Sequence, residues 1–215
     1  MGRVHIVWDW NGTLLDDLPV VISAANASMA MFGVGPIDEN GYRDHFTRPV
    51  RAFYDSLFGR PVNDAEWEGL NDRFHDEYFA RADTAALTPD TLKALSAVDD
   101  RGWGQSLLSM SPQNWLERIV GARGVAGRFN LIDGLSGETG GLKAQHMAEH
   151  VEALGVDPAR TVVVGDTPDD AMAARHVGAH VVLYDGGSHH LPHLEVMGAP
   201  IAHSLVEAVE IAASL

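Results

Sequence analysis

Residues 4–8, VHIVW, make a largely apolar, β-branched stretch that runs straight into Asp9, with the polar turn cluster of Asn11, Gly12 and Thr13 just beyond. That pattern predicts a buried strand over about residues 3–8. Four more β-rich runs follow in the second half of the chain, at Gly104–Ser109, Arg128–Ile132, Thr161–Val164 and His180–Tyr184. Between them Pro112–Ala122, Lys143–Leu154 and Pro168–Val177 space their apolar residues as helices do. Alternating strand and helix predict an α/β fold, a doubly wound, Rossmann-like parallel sheet covered by helices on both faces.

From Asp17 to about Thr88 the pattern is helical instead. DDLPVVISAANASMAMFG offers an acidic cap, Pro19 in the first turn and Gly33 as a stop; Pro49 could start a second helix. VNDAEWEGLNDRFHDEYFARAD reads as a longer amphipathic one. The expectation is a core of residues 1–16 and 88–215 with a helical cap, 17–87, inserted after the first strand and hinged over it as a lid.

The 215 residues, 46% hydrophobic and 21% charged, can bury a core without help. Thirty acids against fifteen bases give a net charge of −15, which disfavours nucleic acid and anionic membranes as partners. The absence of cysteine excludes disulfides, thiolate catalysis and cysteine-held metals. No apolar run reaches the roughly 18 residues that span a bilayer, and no signal peptide is evident, so a cytoplasmic location is expected.

In open α/β sheets, ligands bind beyond the carboxyl ends of the strands. Asp9 and Ser109 fall there, as do Asp166 and Asp170 in GDTPDD, while Lys143 opens the helix before the fourth strand. A carboxylate nucleophile, a hydroxyl, a cation and a pair of acids for Mg²⁺ are the parts that phosphoryl transfer needs.

With DWNGTLLDD, the Ser109 strand end, Lys143 and VVVGDTPDDAMAARHVGA in that order, the chain resembles the haloacid dehalogenase-like hydrolases of the phosphoglycolate phosphatase-like type with a helical cap. The resemblance spans nearly the whole chain. It implies a Mg²⁺-dependent hydrolase of a small phosphorylated metabolite. Asp9 would form an aspartyl-phosphate, and the metal would be held by Asp9, the backbone carbonyl of Asn11, Asp166 and Asp170. Gly12, Thr13, Ser109, Met110 and Lys143 would surround the phosphoryl group. Asp169 is expected to face solvent. Ser111, followed by Pro112, reads as an N-cap with proline at the first helical position.

One position departs from the family. Two residues after the nucleophile these phosphatases carry an aspartate that protonates the leaving oxygen and later activates water; here stands Asn11, and an amide can do neither. Three outcomes follow: a weakened phosphatase better suited to acyl or aryl phosphates, a long-lived aspartyl-phosphate, or a phosphate-ligand binding protein. A C–P or C–halogen substrate also stays open. In the insert, His45, Arg48 and Arg51 are candidates to read a second anionic group, Arg48 first. His146 and His150, one helical turn apart, are expected to be structural or exposed rather than metal ligands.

Overall fold

The computed structural model of the chain describes residues 4–137 and 142–215. Arg3, with which the first strand was expected to begin, lies outside them. Strand β1 (His5–Trp8) is buried along its whole length, as its apolar Ile6, Val7 and Trp8 require. It lies centrally in a parallel sheet of order β5-β4-β1-β6-β7-β8, where β4 is Gly104–Pro112, β5 Ile132–Leu135, β6 Thr161–Gly165, β7 His180–Tyr184 and β8 Ile201–Ala202. The chain builds β4 and β5 on one side of β1, then returns to build β6, β7 and β8 on the other. The carboxyl ends of β4, β1 and β6 therefore meet at the point where the strand order reverses.

Successive side chains on a strand point to opposite faces, and each face has its own core. Ile6, Trp8, Leu107 and Val162 pack on one side with α5 (Thr91–Asp100), α6 (Gln113–Ala122) and α10 (Leu205–Ala212). Val7, Leu108, Val163 and Leu183 pack on the other with α7 (Ala144–Leu154), α8 (Pro168–Val177) and α9 (Leu191–Glu195). β8 was not among the expected strands, and β5 and β4 differ most from their expected bounds. β5 begins at Ile132, where the Arg128–Ile132 run was expected to end, because Ala126–Arg128 turn as a 3₁₀ helix. β4 continues three residues past Ser109, through an irregularity in its pairing with β5.

The chain leaves the sheet at β2 (Leu15–Asp16) and returns at β3 (Ala86–Leu87), which pair antiparallel. Between them lie α1 (Leu18–Ala30), α2 (Glu39–His45), α3 (Val50–Phe58) and α4 (Asp64–Arg81), sharing a third core of Leu18, Ala25, Met29, Phe53 and Leu70. α4 starts on a reciprocal cap in which Asn63 accepts from the Glu66 N–H at 3.0 Å and Glu66 from the Asn63 N–H at 2.9 Å. α1 starts differently from expectation: Asp17 occupies its N-cap position, but its side chain makes no capping bond.

The histidines follow the structural expectation, with a carboxylate that the sequence reading did not attach to them. His150 is fully buried and contacts Ser106 at 2.8 Å and Asp133 at 2.9 Å, Ser106 meets His5 at 2.9 Å, and His146 meets Asp133 at 3.1 Å. Each of these side chains has a polar partner, although His146 Nδ1 is buried without one.

Candidate active site

Asp9 follows the last residue of β1 and is 8% exposed, its backbone N–H tied to Val164 O at 2.8 Å. Lys143, at the N-cap position of α7 and 3% exposed, brings its ammonium to one oxygen of Asp9 and, at 2.7 Å, to Asp170 Oδ1. Asp170 sits in the first turn of α8, and its second oxygen accepts from Thr167 Oγ1 at 2.7 Å and the Thr167 N–H at 3.0 Å. Asp166 follows β6, accepting from Thr13 Oγ1 at 2.9 Å and from the N–H of Ser188 at 2.7 Å, with the Ser188 hydroxyl against the same oxygen.

Oxygens of Asp9, Asp166 and Asp170 lie within 4.8 Å of one another, and all three residues are buried. Three carboxylates face one lysine, so the cluster carries uncompensated negative charge. Burial raises the Asp166 carboxyl to about 6, with repulsion from Asp170 adding to it and Ser188 and Thr13 opposing. Burial also raises Asp9, against Lys143 and with Asp170 and Asp166. Asp170 goes the other way: burial would raise it, but Lys143 and Thr167 hold it low. Hard oxygen donors in excess of positive charge suit a divalent cation, which would draw the two raised carboxyls back to their ionised forms.

Close backbone approach makes this packing possible. Gly12 adopts φ +75°, and a Cβ there, like one at Gly187, would collide with the Asp166 carboxylate.

Asn11 is held on four sides. Its Nδ2 donates to Asp17 Oδ2 and to Tyr78 Oη, both at 2.7 Å, and its Oδ1 accepts from Ser111 Oγ at 2.9 Å and Ser109 Oγ at 3.3 Å. Tyr78 Oη also donates to Asp17 Oδ2 at 2.6 Å, and the Gly12 N–H reaches Asp17 Oδ1 at 2.9 Å. Burial raises the Asp17 carboxyl, against these donors. Here is the reason Asp17 does not cap α1: both its oxygens are taken by the turn after β1 and by α4.

Ser111 is a correction of the same kind. It was expected to cap the following helix, but Pro112 takes the N-cap position and the Ser111 hydroxyl serves Asn11. Asp169 is another: expected in solvent, it is 4% exposed, accepting from the Lys143 N–H at 3.1 Å with Arg48 Nε 3.7 Å away. Lysine and arginine from separate elements fold over that face of α8.

A cavity of about 170 Å³ opens above this floor. Asp9, Asn11, Gly12, Ser109, Met110, Lys143, Asp170 and Arg48 all line it. Thr13 is fully buried against Asp166 and lies behind the lining. The structure does not bring Arg51 or His45 to the cavity: Arg51 bonds the Val62 carbonyl at 2.6 Å and Asp64 at 2.9 Å, and His45 meets Ser56 at 2.7 Å. Asp17, Tyr78, Ser111 and Ser188 were not predicted to serve the site. Their signal was weak, since a second acid after LLD and a serine before proline each have an ordinary local reading.

The parallel sheet, the carboxylates at its strand ends and the helices above them define a doubly wound α/β scaffold with a candidate cation site. The chain belongs to the haloacid dehalogenase-like hydrolase family, whose model matches residues 4–178. It is 28% identical to the phosphoglycolate phosphatase of Caulobacter vibrioides, across 96% of this chain and 90% of that protein. It is 27% identical to the N-acetylmuramic acid 6-phosphate phosphatase of Pseudomonas aeruginosa, across 80% of this chain and 77% of the relative. In fold it matches the crystal structure of a predicted phosphatase from Clostridium acetobutylicum, with TM-score 0.87, 17% identity and full coverage of both chains. A haloacid dehalogenase-like hydrolase from Streptococcus pneumoniae superposes with TM-score 0.82 at 20% identity, covering 97% of this chain and 98% of that one. Among the described residues, no helix is long and apolar enough to cross a membrane.

Proposed function

We propose that the chain is a Mg²⁺-dependent phosphatase of a small phosphate monoester that works through an aspartyl-phosphate on Asp9. The observation that carries the reading is the buried cluster of Asp9, Lys143, Asp166 and Asp170 at the mouth of a cavity. The phosphatases of Caulobacter and Pseudomonas among its relatives support it.

Asp9, the Asn11 backbone carbonyl, Asp166 and Asp170 would hold the ion, which when bound offsets phosphate charge. Lys143 fixes one oxygen of Asp9, leaving the other to attack phosphorus. Ser109 and the backbone N–H of Met110 would bind the phosphoryl oxygens, with Gly12 forming the turn beside them and Thr13 steadying Asp166 behind. The bond from phosphorus to the ester oxygen breaks and its electron pair leaves with that oxygen. Water then attacks phosphorus, releasing phosphate and restoring the Asp9 carboxylate. Asn11 has no proton to give at the first step and no base to offer at the second, so both are expected to be slow for alkyl esters.

A panel of phosphorylated metabolites plus an aryl phosphate, assayed with Mg²⁺ and with chelator, tests the reading. Phosphate release that disappears on chelation is expected. Saturable phosphate-ester binding with no release from any member would instead make the chain a binding protein, the reading that Asn11 favours. Release unaffected by chelator would contradict the metal assignment.

A further inference from the structure

The cavity has a charged floor and a roof of rings. Tyr42, Phe46, Phe53, Tyr54, Trp67 and Phe74 line it from α2, α3, α4 and the residue that follows α2. They brace one another: ring centroids are 4.9 Å apart for Tyr42 and Phe46, 5.3 Å for Tyr42 and Phe53, and 6.2 Å for Tyr54 and Trp67. Phe74 stacks on Tyr78, at 5.8 Å with planes 5° apart, and Tyr78 is the ring bonded to Asn11. Tyr42, Phe53 and Tyr54 are buried, while Phe46, Trp67 and Phe74 are half-buried and leave ring surface, which favours an apolar, flat ligand.

The charges argue in the same direction. Four carboxylates, Asp9, Asp17, Asp169 and Asp170, line the cavity, against one lysine and one arginine. Lys143 is ion-paired with Asp9 and Asp170, and Arg48 lies beside Asp169. A bound Mg²⁺ would be matched by the two charges of the phosphoryl group it holds, so a second anion on the organic part would still meet more carboxylates than cations, with both cations already facing carboxylates.

Asn11 supplies an independent observation. With no acid at that position, the ester oxygen has to leave as an anion, and its basicity governs the rate. A phenol ionises near 10, as tyrosine does, far below an aliphatic alcohol. The group that suits the roof is the group that needs the missing proton least.

We infer that the substrate is the phosphate monoester of a single-ring phenol without a second anionic group. The inference rests on the phosphatase reading and names its substrate class. A cavity of about 150 Å³ is enough to take up benzene, so the 170 Å³ here leaves room for no more than one ring. In the reaction Asp9 bonds to phosphorus, the bond from phosphorus to the phenolic oxygen breaks, and the phenolate leaves with the electron pair to take its proton from water. Water then attacks the phosphorus, giving inorganic phosphate and free Asp9.

Four compounds separate ring recognition from leaving-group basicity: phenyl phosphate (ring, phenolate), benzyl phosphate (ring, alkoxide), acetyl phosphate (no ring, weakly basic leaving group) and 2-phosphoglycolate (no ring, alkoxide, second anion). Steady-state kinetics on the full chain with Mg²⁺ give kcat and KM for each. The two ring-bearing esters should show KM values about 10- to 100-fold below the other two, the scale of burying one aromatic ring. Phenyl phosphate should exceed benzyl phosphate in kcat by about 100-fold or more, the help that an acid would have given. A kcat/KM for 2-phosphoglycolate equal to or above that for phenyl phosphate would overturn the inference and leave the phosphatase reading standing. Equal KM values for acetyl and phenyl phosphate would do the same. No Mg²⁺-dependent release from any of the four, acetyl phosphate included, would remove the phosphatase reading and this inference with it.

Discussion

Asp9→Asn is expected to abolish phosphate release, lowering kcat by at least about 10⁴-fold on every ester that the parent chain hydrolyses. An amide cannot form the acyl phosphate, and no second carboxylate can replace it: Asp166 is held by Thr13 and Ser188, and Asp170 by Lys143 and Thr167. The loss should be chemical rather than structural. Burial already raises the Asp9 carboxyl, so a neutral side chain is tolerated there, and Asp170 remains 2.7 Å from the Lys143 ammonium to keep that charge partnered. Turnover assays paired with a thermal melt check both halves. Mg²⁺-dependent turnover that survives the substitution would exclude the covalent route.

Asn11→Asp is expected to raise kcat on alkyl phosphates by about 10²- to 10⁴-fold, the usual worth of a positioned acid and base. The surroundings favour the protonation state that the reaction needs. The new carboxyl would stand where the amide now lies 2.7 Å from Asp17, and two carboxylates at that separation share one proton. Ser109 and Ser111 donate to the other side of the residue at 3.3 and 2.9 Å, so the replacement finds partners for its remaining oxygen. Phenyl phosphate should gain much less, because its leaving oxygen needs little help. Comparing kcat for benzyl and phenyl phosphate in parent and variant reads this difference. An equal gain on both esters, or none on either, would show that position 11 does not handle the leaving-group proton.

The two substitutions rest on features of unequal visibility in the sequence. The parallel sheet was legible because β1, β6 and β7 are mostly apolar, β-branched runs, each followed by a turn or helix signal, and α8 begins and ends where PDDAMAARHV predicts. The convergence of Asp9, Lys143, Asp166 and Asp170 was legible too, since all sit just after strands or at helix starts on one edge of a parallel sheet. β5 was misplaced because its four residues carry a glycine and an aspartate, which weaken the strand signal.

Asp17, Ser111 and Asp169 were misread for a shared physical reason. Each is a residue type with a strong local use, as a helix cap or a solvated surface group, and local sequence cannot reveal a partner 61 or 100 positions away. The aromatic roof was hidden differently. Its rings are spread over α2, α3 and α4 among charged neighbours, and only the packing of those helices over β1 gathers them above Asp9. His45 and Arg51 were proposed from the same stretch as Arg48, yet a few residues along α2 and α3 suffice to turn them to other partners.

The covalent intermediate is the point on which all this depends, and it can be caught directly. The chain mixed with Mg²⁺ and phenyl phosphate, quenched in acid within one turnover and digested, should yield a phosphorylated peptide covering residues 4–17, with fragmentation placing the group on Asp9. The Asp9→Asn chain should yield none. Phosphate release at full rate with no phosphorylated peptide at any quench time, or with the label on another residue, would contradict the account.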